Sequence, residues 1–212
     1  YVFGIDSNKA SLKFGKSYCD KFQISPKTTD KKYLSFIKKL LTKVDIFIPF
    51  IDEELKILSF NKKKLKKVYH KILISEVNSI RLCNDKLLFN DFCIKKNILT
   101  PKLVSFGNAV IKPRIGRGGK SIIITKDKKI INSFIGKKKY KIQKFIKGKE
   151  FSVDVLYSKD FKIKNIVCRE RVSKSNVSLI GKIIEDKKII NFISQISKHF
   201  FFKYLINYQI IK

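Results

Sequence analysis

Methionine and tryptophan are absent from the 212 residues, and the chain holds only two histidines and four cysteines. Cys19, Cys83, Cys93 and Cys168 are scattered without Cys-x-x-Cys spacing, and neither His70 nor His199 has a close His or Cys companion. A structural zinc site draws on close ligand pairs, and a disulfide framework belongs to small cysteine-dense domains, so neither organises this chain. Buried free thiols are expected instead. No apolar run approaches the ~20 residues of a membrane span, and no signal-peptide pattern opens the sequence. The expectation is a cytoplasmic protein without membrane contact. Residue 1 is Tyr, so a trimmed chain is expected.

Acidic residues are also scarce, 17 against 48 basic ones, for a formal net charge of +31. Such a surplus ordinarily points to nucleic acid or an anionic surface. Yet only five basic side chains are arginine (Arg81, Arg114, Arg117, Arg169 and Arg171), the type that reads phosphates and bases bidentately. Lysine is spread along the whole chain among Ile, Asn, Phe and Tyr, a mixture that A/T-rich codons produce without any binding role. A basic nucleic-acid-binding module, stacking bases on its interleaved aromatics, is the alternative function. It requires charge clustered on one face, which the sequence does not show, so nucleic acid is not the expected partner. Four of the five arginines fall in 114–117 and 169–171, and those segments invite inspection.

The stretch IKPRIGRGGKSIII, residues 111–124, has the look of a phosphate loop. A P-loop requires Gly-x-x-x-x-Gly-Lys-Ser/Thr between a strand and a helix. With Gly119-Lys120-Ser121 as its second half, the first glycine falls on Arg114, and the exit through Ile122, Ile123, Ile124 and Thr125 reads as a strand. A glycine loop between two strands is a different device.

With 44% apolar residues the chain can build a real core. The first part reads as α/β. Tyr1 to Asp6 is a strand ending in a carboxylate, and residues 30–43 place Tyr33, Phe36, Ile37, Leu40 and Leu41 on one helical face. VDIFIPF (44–50) reads as a strand buried on both faces, followed by a helix to about residue 65 and a strand at VYHKILI. This alternation implies a parallel sheet. At 84–97 Asn84 is expected to cap a helix whose Leu88, Phe89, Phe92 and Cys93 form one face, ending in a turn at Pro101. The second part reads as α+β with a mostly antiparallel sheet. Its strands are NAVIKP, KSIIIT, KYKIQKFI, EFSVDVLYS, FKIKNIVCRER and YLINYQIIK, with a short helix at 127–135. A longer helix at 187–201 points Ile189, Ile190, Ile193, Ile196 and Phe200 inward.

Five segments in order, VDIFIPFIDEEL, CNDKLLFNDFCIKKNILTPK, IKPRIGRGG, IQKFIKGKEFSVDVL and INYQ, resemble the ATP-grasp superfamily. Within it they are similar to the carbamoyl-phosphate synthetase large subunit. The resemblance implies a partial Rossmann-like pre-ATP-grasp domain over 1–80, incomplete at its N-terminus. An ATP-grasp domain over 81–212 would follow, incomplete at its C-terminus. It also implies an ATP-dependent carboxylate–amine ligase, with ATP and Mg2+ (or Mn2+) as cofactors and a small carboxylate and an amine acceptor as partners. Oligomeric state is left open.

Several residues suit such chemistry in their own right. Lys112, at a strand end, can reach phosphate oxygens, while Gly116, Gly118 and Gly119 let backbone N–H groups approach them. Lys86, near a helix start, adds charge where the dipole also favours anions. The resemblance makes Gln143, Lys144, Phe145 and Ile146 the hinge that receives adenine and sets Glu150 on the ribose hydroxyls. It turns the basic Arg169 toward phosphate or acyl phosphate, with Arg171 beside it. Lys112 and Arg169 are thus the expected catalytic pair. Gln209 is the one residue placed near a metal, since the acidic magnesium ligands of the family lie a strand further on. On that ground the full-length protein is expected to bind Mg-ATP, and residues 1–212 alone are expected not to catalyse ligation even where nucleotide is retained. The connection between Pro101 and Val110 is shorter than in typical relatives.

Overall fold

The computed structural model describes residues 1–119, 121–172 and 180–212. Lys120 of the GGKS stretch lies outside them. The chain divides into two compact units, Tyr1–Val77 and Asn78–Lys212.

The first unit opens with strand β1 (Phe3–Asp6), helix α1 (Ser11–Tyr18) and strand β2 (Lys21–Ile24). The two strands pair in parallel, Phe3 opposite Lys21, as a strand–helix–strand crossover requires. Asp6 ties the turn between β1 and α1, accepting Asn8 N–H at 2.7 Å and the Ser11 hydroxyl at 2.9 Å. Helix α2 (Tyr33–Leu40) buries Tyr33, Ile37 and Leu40, and Leu41 follows them inward. Phe36 is only half-buried.

Three expectations fail in this unit. VDIFIPF is not a strand buried on both faces: Phe47 makes one parallel bridge to Ile72, while Ile46, Ile48 and Phe50 are exposed. Pro49, having no N–H, cannot extend the ladder. Helix α3 (Asp52–Phe60), with Asp52, Glu53 and Glu54 in its first turn, stops five residues early. VYHKILI then forms a 3-10 turn at Tyr69–Lys71 and that single bridge.

The second unit begins with helices α4 (Val77–Asn84) and α5 (Lys86–Lys95). The cap of α5 is Asp85, whose carboxylate accepts the N–H groups of Leu87 and Leu88 at 3.0 and 3.1 Å. Asn84 instead closes α4. Phe89, Phe92 and Cys93 of α5 pack inward, but Leu88 sits at the margin of that stripe and is 40% exposed. Asn97, in the left-handed region at φ +53°, ends the segment.

Strands β3 (Ala109–Pro113), β4 (Ile123–Thr125) and β5 (Tyr140–Lys144) form a small antiparallel sheet in the order β4-β3-β5. Helix α6 (Lys128–Phe134) covers one face, burying Ile131 against Ala109 and Ile111. Strands β6 (Glu150–Tyr157), β7 (Ile163–Arg171), β8 (Gly181–Ile184) and β9 (Tyr204–Ile211) form the larger sheet, β8-β7-β6-β9, all antiparallel. Strand β8 was not expected from the sequence.

Helix α7 (Lys187–Ser197) lays Ile189, Ile193 and Ile196 on Val153, Val155, Tyr157 and Cys168. It ends earlier than expected, yet Phe200 and Phe202 still stack in the same core. The Tyr157 hydroxyl shares buried hydrogen bonds of 2.6 Å with Ser197 Oγ and with the Tyr208 hydroxyl. Tyr157→Phe removes one hydroxyl from this network, leaving Ser197 and Tyr208 to each other, and is expected to lower stability by about 1 kcal/mol, read as a shifted urea midpoint at unchanged slope. Of the four cysteines only Cys93 and Cys168 are buried; Cys83 is exposed and Cys19 half-buried. Among the described residues no helix is long and apolar enough to cross a membrane.

Candidate functional site

Alternation along a strand decides which side chains leave the small core. Ala109 and Ile111 face α6, so Val110 and Lys112 face the other way. The register sets Gln143 opposite Val110 and Lys141 opposite Lys112, and directly opposed residues share a face. That face thus carries Lys112, Lys141 and Gln143, with Lys141 only 4% and Gln143 6% exposed.

Helix α5 borders this face through its N-terminus. Lys86 N–H donates to Arg114 O at 3.1 Å, and Lys86 Nζ donates to Gly116 O at 2.6 Å. Arg114 Nε donates to both Asp85 oxygens at 2.8 Å, and its Nη2 lies 2.6 Å from Oδ2. Arg114 is therefore a staple between the glycine loop and the helix cap rather than an open phosphate reader. The Arg114 guanidinium, helped by the Leu88 and Leu87 N–H groups, holds the Asp85 carboxyl below the usual range against its partial burial.

The glycine loop needs its glycines for backbone shape. Gly116, Gly118 and Gly119 have φ of +134°, +70° and +65°, a region L side chains rarely enter. A Cβ added at Gly116 or Gly118 meets nothing within 4 Å, so crowding plays no part there.

Burial and mutual repulsion act together on the lysines of this face. Burial, with Lys141 and then Lys86 adding to it, pulls the Lys112 ammonium down to about 8. Burial also pulls Lys141 below the usual lysine range, opposed by Cys93 and Asp91 and assisted by Lys86. An added anion relieves this mutual repulsion and restores the charged form. Phosphate affinity is therefore expected to fall as pH rises through about 8 and Lys112 loses its proton. Calorimetry with inorganic tripolyphosphate at pH 7 and 9 measures this. The stability sign runs the other way without ligand: Lys112 binds protons more weakly folded than unfolded, so apo stability increases as pH rises above about 8.

A second group lies on the large sheet, on the face away from α7. Ser152 stands between Arg169 and Gln209, and Asp154 is opposite Asn207. Arg169 is engaged with Asp154, its Nη2 at 2.6 Å from Oδ2, and Asn207 Nδ2 donates to Asp154 Oδ1 at 2.7 Å. Glu150 is paired with Arg171 at 2.7 Å. Gln209 is exposed.

The hinge joins the two groups along the chain. Phe145 N–H donates to Asn108 O at 2.8 Å, and Lys149 exchanges backbone hydrogen bonds with Lys212 at 2.8 and 3.0 Å. Lys144 is exposed, Phe145 half-buried, and Ile146 is 39% exposed. The sequence-expected residues thus fall into a Lys86–Lys112–glycine loop–Gln143 group and a Glu150–Arg169–Gln209 group.

Lys141 escaped sequence reading. The signal was there: in KYKIQ, Lys141 and Gln143 alternate onto one face. One lysine among so many carried no weight without the register. The residues present do not make a magnesium or manganese site by themselves. Among the described residues no three His, Cys, Asp or Glu cluster, and Asp154, the carboxylate two residues along β6 from the Ser152 that faces Gln209, is already bound by Arg169 and Asn207.

The sequence matches the family described as "ATP-grasp domain" over residues 83–198 and "PylC-like, N-terminal domain" over residues 3–73. No curated protein matches. Among solved structures, D-alanine–D-alanine ligase from Bacillus anthracis complexed with ATP is similar at TM-score 0.66 and 18% identity, covering 99% of this chain and 81% of that one. N5-carboxyaminoimidazole ribonucleotide synthetase from Thermotoga maritima gives TM-score 0.66 at 19% identity, over 100% of this chain and 58% of that one. A biotin carboxylase–ATP-analogue complex from Campylobacter jejuni gives TM-score 0.71 at 13% identity, over 98% and 55%. At these identities the likeness is one of fold, and the chain spans from about half to four-fifths of these proteins.

Proposed function

Because the chain belongs to the ATP-grasp domain family, we propose that it binds ATP and serves a ligase that activates a small carboxylate as an acyl phosphate for attack by an amine. The observation that carries this reading is Lys112. It is a half-buried ammonium with two further lysines beside it, at the mouth of a loop whose glycines hold φ that only glycine adopts readily. Such a group is costly unless a polyanion meets it.

In this reading Lys112 and Lys86 neutralise the phosphates, and the loop at 116–119 brings backbone N–H groups to them. Gln143 and the 144–146 backbone meet adenine, with Phe145 and Ile146 as apolar walls. Glu150 and Arg169 are held by Arg171 and Asp154 in the free protein. Ligand binding therefore exchanges those ion pairs for ribose hydroxyls and for the transferred phosphate. A carboxylate oxygen forms a bond to the γ-phosphorus as the bond to the β-bridging oxygen breaks, releasing ADP. The amine nitrogen then bonds to the carbonyl carbon, loses a proton and expels phosphate. The protein's part is positioning and charge neutralisation; no step here is assigned to a metal.

The finer reading, a ligase like the carbamoyl-phosphate synthetase large subunit, rests on the order of the five sequence motifs. The test is ADP release by the native protein across a panel of carboxylates and amines. Release that requires a carboxylate supports the proposal. Nucleotide hydrolysis indifferent to every acceptor, or no nucleotide use at all, contradicts it.

A further inference from the structure

The nucleotide reading leaves a group of buried polar side chains beside Lys112 unexplained. The sheet contributes Lys141, 4% exposed, and helix α5 contributes Asn90, 0% exposed. Lys86, Asn90 and Cys93 follow one another at intervals of four and three residues, one stripe of α5. Lys86 and Cys93 at the two ends of that stripe both act on the charge of Lys141, which sets the stripe against the sheet face. Among the described residues neither amide atom of Asn90 has a hydrogen-bond partner, nor has Gln143 Oε1. Neither the Lys112 nor the Lys141 ammonium makes a hydrogen bond or ion pair among the described residues; Asp91, the carboxylate that acts on Lys141, forms none with it.

An enclosed lysine normally finds a carboxylate, and an enclosed amide normally finds a partner. Here two lysines oppose each other across a strand pair, and the buried Asn90 amide carries an unsatisfied donor, Nδ2, beside an unsatisfied acceptor, Oδ1. A cation would add to the repulsion between the ammonium groups, and an apolar guest would leave them unsatisfied. The shared requirement of Lys112, Lys141 and Asn90 Nδ2 is a compact oxyanion with several acceptor atoms, while Asn90 Oδ1 suits a lysine ammonium. Gln143 differs: its orphaned atom is an acceptor, and it suits an exocyclic amino group instead.

We propose that this cluster meets a phosphate group of the bound nucleotide, with Lys141 as a third phosphate-binding lysine and Asn90 Nδ2 donating to the same group. The proposal rests on the nucleotide reading for the identity of the phosphate, and on the cluster itself for the presence of an anion. Three ammonium groups around one polyphosphate also supply counter-charge from side chains in a site where the described residues form no cluster of carboxylates.

The experiment is calorimetry of the chain with ATP, inorganic tripolyphosphate and adenosine, in wild type, Lys141→Met, Asn90→Leu and Lys112→Ala, with Tm measured for each. Methionine matches the lysine stem in length, so the fold is retained, and removal of an unpaired buried ammonium raises the Tm of the unliganded protein. Lys141→Met is expected to bind ATP and tripolyphosphate about tenfold to a hundredfold more weakly, since a charge-assisted hydrogen bond is lost. Adenosine affinity stays as in wild type. Asn90→Leu loses a few-fold for the same two ligands. Unchanged ATP and tripolyphosphate affinity in Lys141→Met, alongside a large loss in Lys112→Ala, overturns this inference alone. Wild type that binds tripolyphosphate through Lys141 but not ATP overturns the nucleotide reading and leaves the anion-binding cluster standing. Failure of wild type to bind either ligand overturns both.

Discussion

Lys112→Ala is expected to weaken ATP binding about a hundredfold, by calorimetry at pH 7. The side chain reaches its position from the end of β3, and among the described residues no carboxylate pairs with it there. Its charge therefore remains available to a ligand, and truncating one partner of a desolvated charge pair costs several kcal/mol because the other charge stays buried unpaired. The same substitution removes a repelling ammonium from beside Lys141 and Lys86, so the unliganded protein is expected to become slightly more stable. That pair of opposite effects separates a ligand-binding lysine from a structural one. Equal ATP affinity in mutant and wild type would remove Lys112 from the site.

Asp85→Ala is expected to lower folding stability by about 1 kcal/mol or more, roughly 2–4 °C in Tm for a chain of this size from the cap alone. One carboxylate caps α5 and holds Arg114 in a fork. Loss of the cap sets that minimum, and loss of the solvent-screened pair adds to it. Asp85→Asn keeps the cap, since Asn serves nearly as well as Asp, and isolates the ion-pair share. The folded carboxyl sits below its ordinary range because Arg114 bonds its ionised form. Its contribution is therefore complete above the usual carboxylate pKa and disappears as pH falls through the lowered value. ATP affinity should fall alongside stability in Asp85→Ala, because Arg114, the glycine loop and Lys86 are all tied to that helix start. A stability loss with unchanged ATP affinity would separate the staple from the site.

The second unit was the more legible half. Its strands carry strict alternation, as in EFSVDVLY, where Phe151, Val153, Val155 and Tyr157 turn inward. Helix α7 shows an equally regular Ile189–Ile193–Ile196 stripe. The first unit misled because an unbroken apolar run such as VDIFIPF does not say which face is covered. Neighbouring chain decides that, and here it leaves Ile46 and Ile48 exposed. The crossover α1–β2 went unnoticed since SLKFGKSY and KFQI are short and polar on alternate sides. Capping failed by one position because Asn84 and Asp85 are both good caps, and the Arg114 fork that selects Asp85 comes from 29 residues away.

At the candidate site, spacing in the sequence gave the order of the residues and not their present partners. Glu150 and Arg169 were read as ligand-facing, yet each already holds an ion pair. Those pairs arise from cross-strand register, which single-sequence patterns do not report. Lys141 was missed for the same reason.

The most direct test of the central claim, that this chain holds ATP between its glycine loop and its hinge, is hydrogen exchange with and without a non-hydrolysable ATP analogue. Bound nucleotide should slow exchange at residues 114–119, at the α5 start around Lys86, and across 143–150, while α1, α2 and α3 exchange as before. Protection confined to other segments, or saturating nucleotide with no protection at 114–119 and 143–150, would contradict it.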